Sequence, residues 1–159
     1  MSELITKMLN LAEGAIHRHV GKKHTLLPVW HVMYQDGHSG VIGTPWGNAD
    51  EKHKIFDIMR KTFRETQVIA YCLTVEAWAS PPLKPGRVAA IAPNGDINQL
   101  RPSVMPDRVE VFIAAAGDGT SSQMMVWDIR RNKRGYVKAI IKREIEGMEL
   151  QGTIPSMLN

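Results

Sequence analysis

The stretch QVIAYCLTVEAWAS, Gln67 to Ser80, decides how this chain folds. Ile69, Tyr71, Leu73, Val75 and Ala77 alternate with Ala70, Cys72, Thr74, Glu76 and Trp78, a period of two that sends one set to each side of a strand. The first set is apolar throughout and the second mixed, so one face reads as core and the other as partly polar. The run is long for a strand, rich in β-branched and aromatic side chains, and ends at Ser80-Pro81-Pro82.

Immediately upstream the period changes. Asn48 followed three residues later by Glu51 is a capping-box arrangement, and Lys52, Phe56, Met59 and Phe63 then fall on one face, which predicts a helix over 49–66. Before it, TLLPVWHVMY reads as a strand, QDGHSG as a turn built on Asp36-Gly37 and Gly40, and VIGTPW as a return strand. The first helix is capped by Ser2, carries Ile5, Met8, Leu9, Ala12 and Ile16 on one face, and stops at Gly21 with Arg18, Lys22 and Lys23 at its end.

Downstream, residues 80 to 107 hold six of the nine prolines and read as a long irregular segment, with a short strand at Arg87 to Ile91 and a Pro-Asn-Gly-Asp turn. Three strands follow, Arg108 to Ala116, Gln123 to Arg130 and Tyr136 to Ile145, joined by Gly-Asp-Gly-Thr-Ser-Ser and Asn-Lys-Arg-Gly. Residues 146 to 159 form a tail, either a last edge segment or an arm onto a partner. With one helix between strands and an antiparallel meander after it, the expectation is a single α+β domain spanning 1–159: two helices packed on a mainly antiparallel sheet of about five to six strands.

Composition narrows the function classes. At 159 residues, 43% hydrophobic and 23% charged, the chain is neither disordered nor fibrous in type. No apolar run approaches the roughly 20 residues of a membrane span, and the helical spacing of MSELITKMLNLAEGAIHRHV is not that of a signal peptide. Cys72 is the single cysteine, which removes any internal disulfide framework and suits a reducing cytoplasm. The net charge of +4 is unevenly spread. Seven Lys/Arg and no acid lie between Arg130 and Arg143, and without those seven the chain stands at −3.

Two places carry candidate chemistry. The first is the charged shoulder RPSVMPDRVE, where Pro106 fixes φ and Asp107 can bond its own downstream backbone. Its plainer account is a turn that starts a strand. In the sharper account Glu76, Asp107, Arg108 and Glu110 converge from two strand ends, and paired carboxylates support acid–base work in a hydrolase or hold a metal if their environments split their pKa values. The second is the basic hairpin DIRRNKRGYVKAIIKR, where Arg130, Arg131, Lys133, Arg134, Lys138 and Lys142 could lie along a nucleic-acid backbone, with Tyr136 and Trp127 as the nearest aromatics for stacking. Lysines on an exposed strand also guard a sheet edge against aggregation.

The remaining signals are weaker. His17, His19, His24, His31, His38 and His53 show no zinc-ligand spacing, there is no HExxH or C-x-x-C, and no metal or cofactor is expected. Cys72 sits mid-strand as a buried thiol, and GDGTSS lacks the lysine and helix of a phosphate-binding loop, so it reads as a hairpin turn.

The elements VEAWAS and RPSVMPDRVEVFIAAA resemble a group of uncharacterised small proteins of bacteriophages and environmental bacteria, which share an E-A-W strand end and a P-S-x-x-P-D-R-x-E strand start. The resemblance covers roughly residues 68 to 130. It implies a common architecture and a shared site at Glu76, Trp78, Ser103, Asp107, Arg108 and Glu110, and it implies no activity. Charge concentrated in one element, with no complete catalytic constellation in the sequence, leads to the expectation of a binding module contacting nucleic acid or a protein partner through the basic hairpin. The alternatives are a hydrolase or metal-dependent enzyme built on the carboxylates, and an assembly protein whose nine methionines and four tryptophans serve a homo-oligomer.

Overall fold

The structure is a computed structural model that describes residues 2–80, 108–143, 149–150 and 157–158. Helix α1, Glu3–His17, begins where the Ser2 hydroxyl accepts the Ile5 N–H at 3.1 Å, and its Ile5, Met8, Leu9, Ala12 and Ile16 are all buried. Strands β1, Val29–Tyr34, and β2, Ser39–Gly43, form a hairpin. Helix α2, Ala49–Glu65, starts with the Asn48 side chain accepting the Glu51 N–H at 2.9 Å. Then come β3, Val68–Ser80, β4, Val109–Gly117, β5, Ser122–Arg131, β6, Val137–Arg143, and the short β7, Glu149–Leu150.

Six strands run in the order β2-β1-β3-β4-β5-β6, every neighbour antiparallel, and β7 pairs with the far end of β3 at Ala79 and Ser80. The α+β class, the two helices and the antiparallel sheet agree with the expectation from sequence. The first strand begins at Val29 rather than Thr25, one residue beyond Pro28, whose missing N–H cannot join a ladder. The Arg87 to Ile91 strand, the Pro-Asn-Gly-Asp turn and most of the 80–107 segment lie outside the described residues. In the tail, β7 joins the chain's own sheet, and Met157 is buried among the residues under α2.

The helices lie on opposite faces of the sheet. Ala70 and Cys72 of β3 join Phe112, Ala114 and Trp127 beneath α1, while Tyr71 and Leu73 join Trp30 and Val32 beneath Phe56, Met59 and Phe63 of α2. The first half of β3 is therefore buried on both sides, where the sequence pattern suggested one core face and one mixed face. A second helix covers the mixed face, and its small residues are what let α1 approach. Burying each large side chain of α1 contributes on the order of 1.5–3 kcal/mol. The same side of β3 carries the polar residues Thr74, which is buried, and Glu76, which is half-buried. No described helix is long and apolar enough to cross a membrane.

Candidate nucleic-acid interface

The β5–β6 turn is organised by Asn132. Its side-chain oxygen accepts the N–H groups of Arg134 at 2.9 Å and Tyr136 at 3.1 Å, an arrangement Asn adopts readily and a hydrophobic residue cannot. Gly135, at φ +87°, closes the turn with its N–H on the Asn132 carbonyl at 3.0 Å. Lys133 and Arg134 are left exposed at the tip. Behind them the carboxylate of Asp128, with only 6% of its side chain exposed, sits between Arg130 at 3.2 Å on its own strand and Arg143 at 2.7 Å on β6. A buried carboxylate needs such partners, and the Arg143 pair ties β5 to β6.

A second basic segment is joined to this hairpin. Gly21, at φ +85°, turns the chain out of α1, donates its N–H to the Val137 carbonyl at 2.7 Å, and Val137 donates back to the Lys22 carbonyl at 2.9 Å. HRHVGKKH, His17 to His24, has three Lys/Arg and no acid, and this backbone exchange lays it against the edge strand β6. Lys22, Lys23 and His24 are exposed there, as are Lys138 and Lys142 of β6. The packing is close enough that a Cβ on Gly135 would stand 3.3 Å from Lys23 Cε. The cationic face is thus assembled from two segments more than a hundred residues apart, and the sequence pattern identified one of them.

Arg131 occupies a different place from its neighbours. Its guanidinium turns inward, donating to the Glu110 carboxylate through Nε at 2.8 Å and Nη2 at 2.7 Å, and to the Gly135 and Lys23 carbonyls through Nη1 at 2.8 and 3.4 Å. It braces the turn, the α1 exit and β4 against one another. Trp127, considered from sequence as a stacking surface, is 1% exposed beneath α1, so the aromatic at the hairpin surface is Tyr136.

The carboxylate shoulder lies on the same sheet face, alongside. The register sets Trp78 opposite Glu110 and Glu76 opposite Phe112, so Glu76 and Glu110 are diagonal neighbours on that face. Glu76 accepts the Leu26 N–H at 2.6 Å. Burial raises its pKa; Glu110 adds to the rise, and the Leu26 N–H and Arg131 oppose it. The Arg108 guanidinium stands over the Trp78 ring, 4.8 Å from its centroid. Asp107 and Ser103 lie outside the described residues. The structure therefore brings Glu76, Arg108 and Glu110 together, with Glu110 committed to Arg131 and Glu76 to a backbone amide. Among the described residues no group of three His, Cys, Asp or Glu side chains could hold a metal ion.

Most of the other candidates have local partners. His19 packs edge-on against Phe112 at 5.5 Å, His38 stacks on Tyr34 and bonds Asp36, and Asp118 caps its own turn by accepting the Thr120 and Ser121 N–H groups, which draws its pKa down to about 2. Burial pushes the Cys72 thiol up to about 12, so it is protonated and inert. His31, one of the six histidines without zinc-ligand spacing, is buried. Compared with protein-family models, curated proteins and solved structures, the chain gives no match.

Proposed function

We propose that this chain is a nucleic-acid-binding module that grips the phosphate backbone with the face formed by the α1 exit and the β5–β6 hairpin. The observation that carries this reading is the reciprocal backbone bonding of Gly21 and Lys22 with Val137, which joins two basic segments, 17–24 and 130–143, neither of which contains an acid. Lys22, Lys23, Lys133, Arg134, Lys138 and Lys142 are the phosphate contacts. Arg131, Glu110, Asp128 and Arg143 set the shape of the face and do not themselves reach the ligand.

The chemistry of this face favours backbone contact over base reading. Lysines are compact charges without the rigid fork that recognises a guanine edge, and Arg134 alone at the tip supplies one. Tyr136, 42% exposed beside that tip, offers a ring on which an unpaired base can stack, so single strands are preferred over duplex. Neutralising up to six phosphates gives a salt slope of about −4 to −5, so affinity falls by about a thousandfold between 50 and 200 mM salt. Fluorescence anisotropy with labelled single- and double-stranded DNA and RNA at those two salt concentrations tests the reading. Absence of binding at the lower salt would reduce the face to a solvated sheet edge.

A further inference from the structure

A pocket of about 270 Å³ opens between α1 and the β1–β3 part of the sheet, separate from the hairpin. Its walls are mostly apolar: Leu11 from α1, Leu26 from the segment before β1, Val29 from β1 and Val41 from β2. Two buried polar side chains line it from the sheet. Thr74 is 1% exposed and His31 8% exposed, and among the described residues neither Thr74 Oγ1 nor His31 Nδ1 has a nitrogen or oxygen partner. The Thr74 hydroxyl meets the Cys72 sulfur, a weak acceptor that satisfies it far less well than an oxygen would.

Buried polar atoms left unsatisfied are rare in folded proteins, and two of them in one cavity need a reason. Burial and the nearby Arg18 both lower the His31 pKa, so the imidazole is neutral near pH 7 and can carry its proton on Nδ1. Thr74 can rotate its hydroxyl proton into the pocket. Arg18 also lines it, held by its Nε on the Gly14 carbonyl at 3.3 Å. A hydroxyl, a neutral imidazole N–H and a guanidinium are three donors around an apolar chamber. Glu76, next on that strand face, is turned to the Leu26 amide and does not line the pocket.

We propose that this pocket binds a small carboxylate with a compact apolar body, its oxygens accepting from Thr74, His31 and Arg18 and its body packed on Leu11, Leu26 and Val29. The volume lies just under the range of drug-sized sites, which suits a short branched-chain or single-ring acid. The proposal does not depend on the nucleic-acid reading: Thr74 and His31 are buried beneath α1, and Arg18, exposed at the helix end, is not one of the phosphate contacts named above.

The test is an amide-resolved NMR titration of the whole chain with benzoate and isovalerate, and with benzyl alcohol and isoamyl alcohol as neutral counterparts. Saturable shifts at Leu26, His31 and Thr74, with a dissociation constant of about 1 mM or below for a carboxylate, are expected. Arg18→Met, a surface change, weakens the acid about tenfold and leaves the alcohol's weaker binding unaltered. Thr74→Val weakens both. Three results would overturn the proposal: no saturable shift at these residues, alcohols binding as tightly as acids, or shifts confined to Lys22, Lys133 and their neighbours. The last would mark carboxylates as counterions of the basic face.

Discussion

Arg131 meets Glu110 side-on, two parallel hydrogen bonds of 2.8 and 2.7 Å joining β5 to β4, with 21% and 24% of the two side chains exposed. This one pair connects features that lie apart in the sequence, the charged strand start and the basic hairpin. It turns one arginine of the hairpin into a brace, and it takes up one of the carboxylates available for acid–base work. Arg130 and Arg143 hold the Asp128 carboxylate, and Lys133, Arg134, Lys138 and Lys142 are left exposed.

The pair is partly buried, so removing one partner leaves a charge poorly compensated. Arg131→Met is expected to lower stability by about 1–3 kcal/mol in urea unfolding, and Glu110→Gln by a similar amount. The double variant Glu110→Gln/Arg131→Met should be less destabilised than the two single losses added together. Strict additivity would mean that the two groups act separately.

Glu76 makes stability depend on acidity in a direction opposite to most carboxylates. Burial raises its folded-state pKa above the 4.5 of an ordinary glutamate, so the fold holds this proton more tightly than the unfolded chain does. Its contribution to stability is complete below pH 4.5 and declines as pH rises through the folded-state value. Glu76→Gln keeps an oxygen for the Leu26 N–H and removes the titration. Thermal unfolding of the wild type and of this variant between pH 4 and 7 should show the variant gaining relative stability as pH rises. A constant difference across that range would contradict the assignment.

Gly117, at the end of β4, lies under the Tyr71 ring. A Cβ there would stand 2.9 Å from the ring, and Tyr71 is held in turn by Phe63 and Trp30, at centroid separations of 5.9 and 6.1 Å. Gly117→Ala should therefore cost about 1–3 kcal/mol. Gly43→Ala, where the added methyl meets nothing within 4 Å, should stay within about 0.5 kcal/mol of the wild type. Chemical denaturation of the two variants in parallel separates steric crowding from any general effect of losing glycine.

What the sequence made legible was local. The Ser2 and Asn48 caps, the 3-and-4 spacing of both helices and the alternation along β3 are properties of neighbouring residues, and each has its counterpart in the structure. What it hid was whatever depends on distant pairing. Glu76 bonds Leu26 fifty residues away, and Arg131 meets Glu110 across twenty-one. Alternation alone gave no means of knowing that helices cover both faces of the sheet, which is why Trp127 could be weighed as a surface ring although it lies in the core. The basic stretch after α1 was visible as charge near a helix end. Its docking on β6 is carried by backbone N–H and C=O groups, which every residue has and no side-chain pattern reveals.

The central claim is that the α1 exit and the hairpin act as one phosphate-binding surface. The direct measurement is anisotropy of a labelled single-stranded oligonucleotide at about 50 mM salt with two charge-reversal pairs, Lys22→Glu/Lys23→Glu and Lys133→Glu/Arg134→Glu. Arg131 stays untouched in both, so the fold is not what is being tested. The account predicts that each pair weakens binding by at least about tenfold and makes the salt dependence shallower, and that all four changes together abolish it. If Lys22→Glu/Lys23→Glu binds as tightly as the wild type, the two segments do not share a ligand and the claim is wrong.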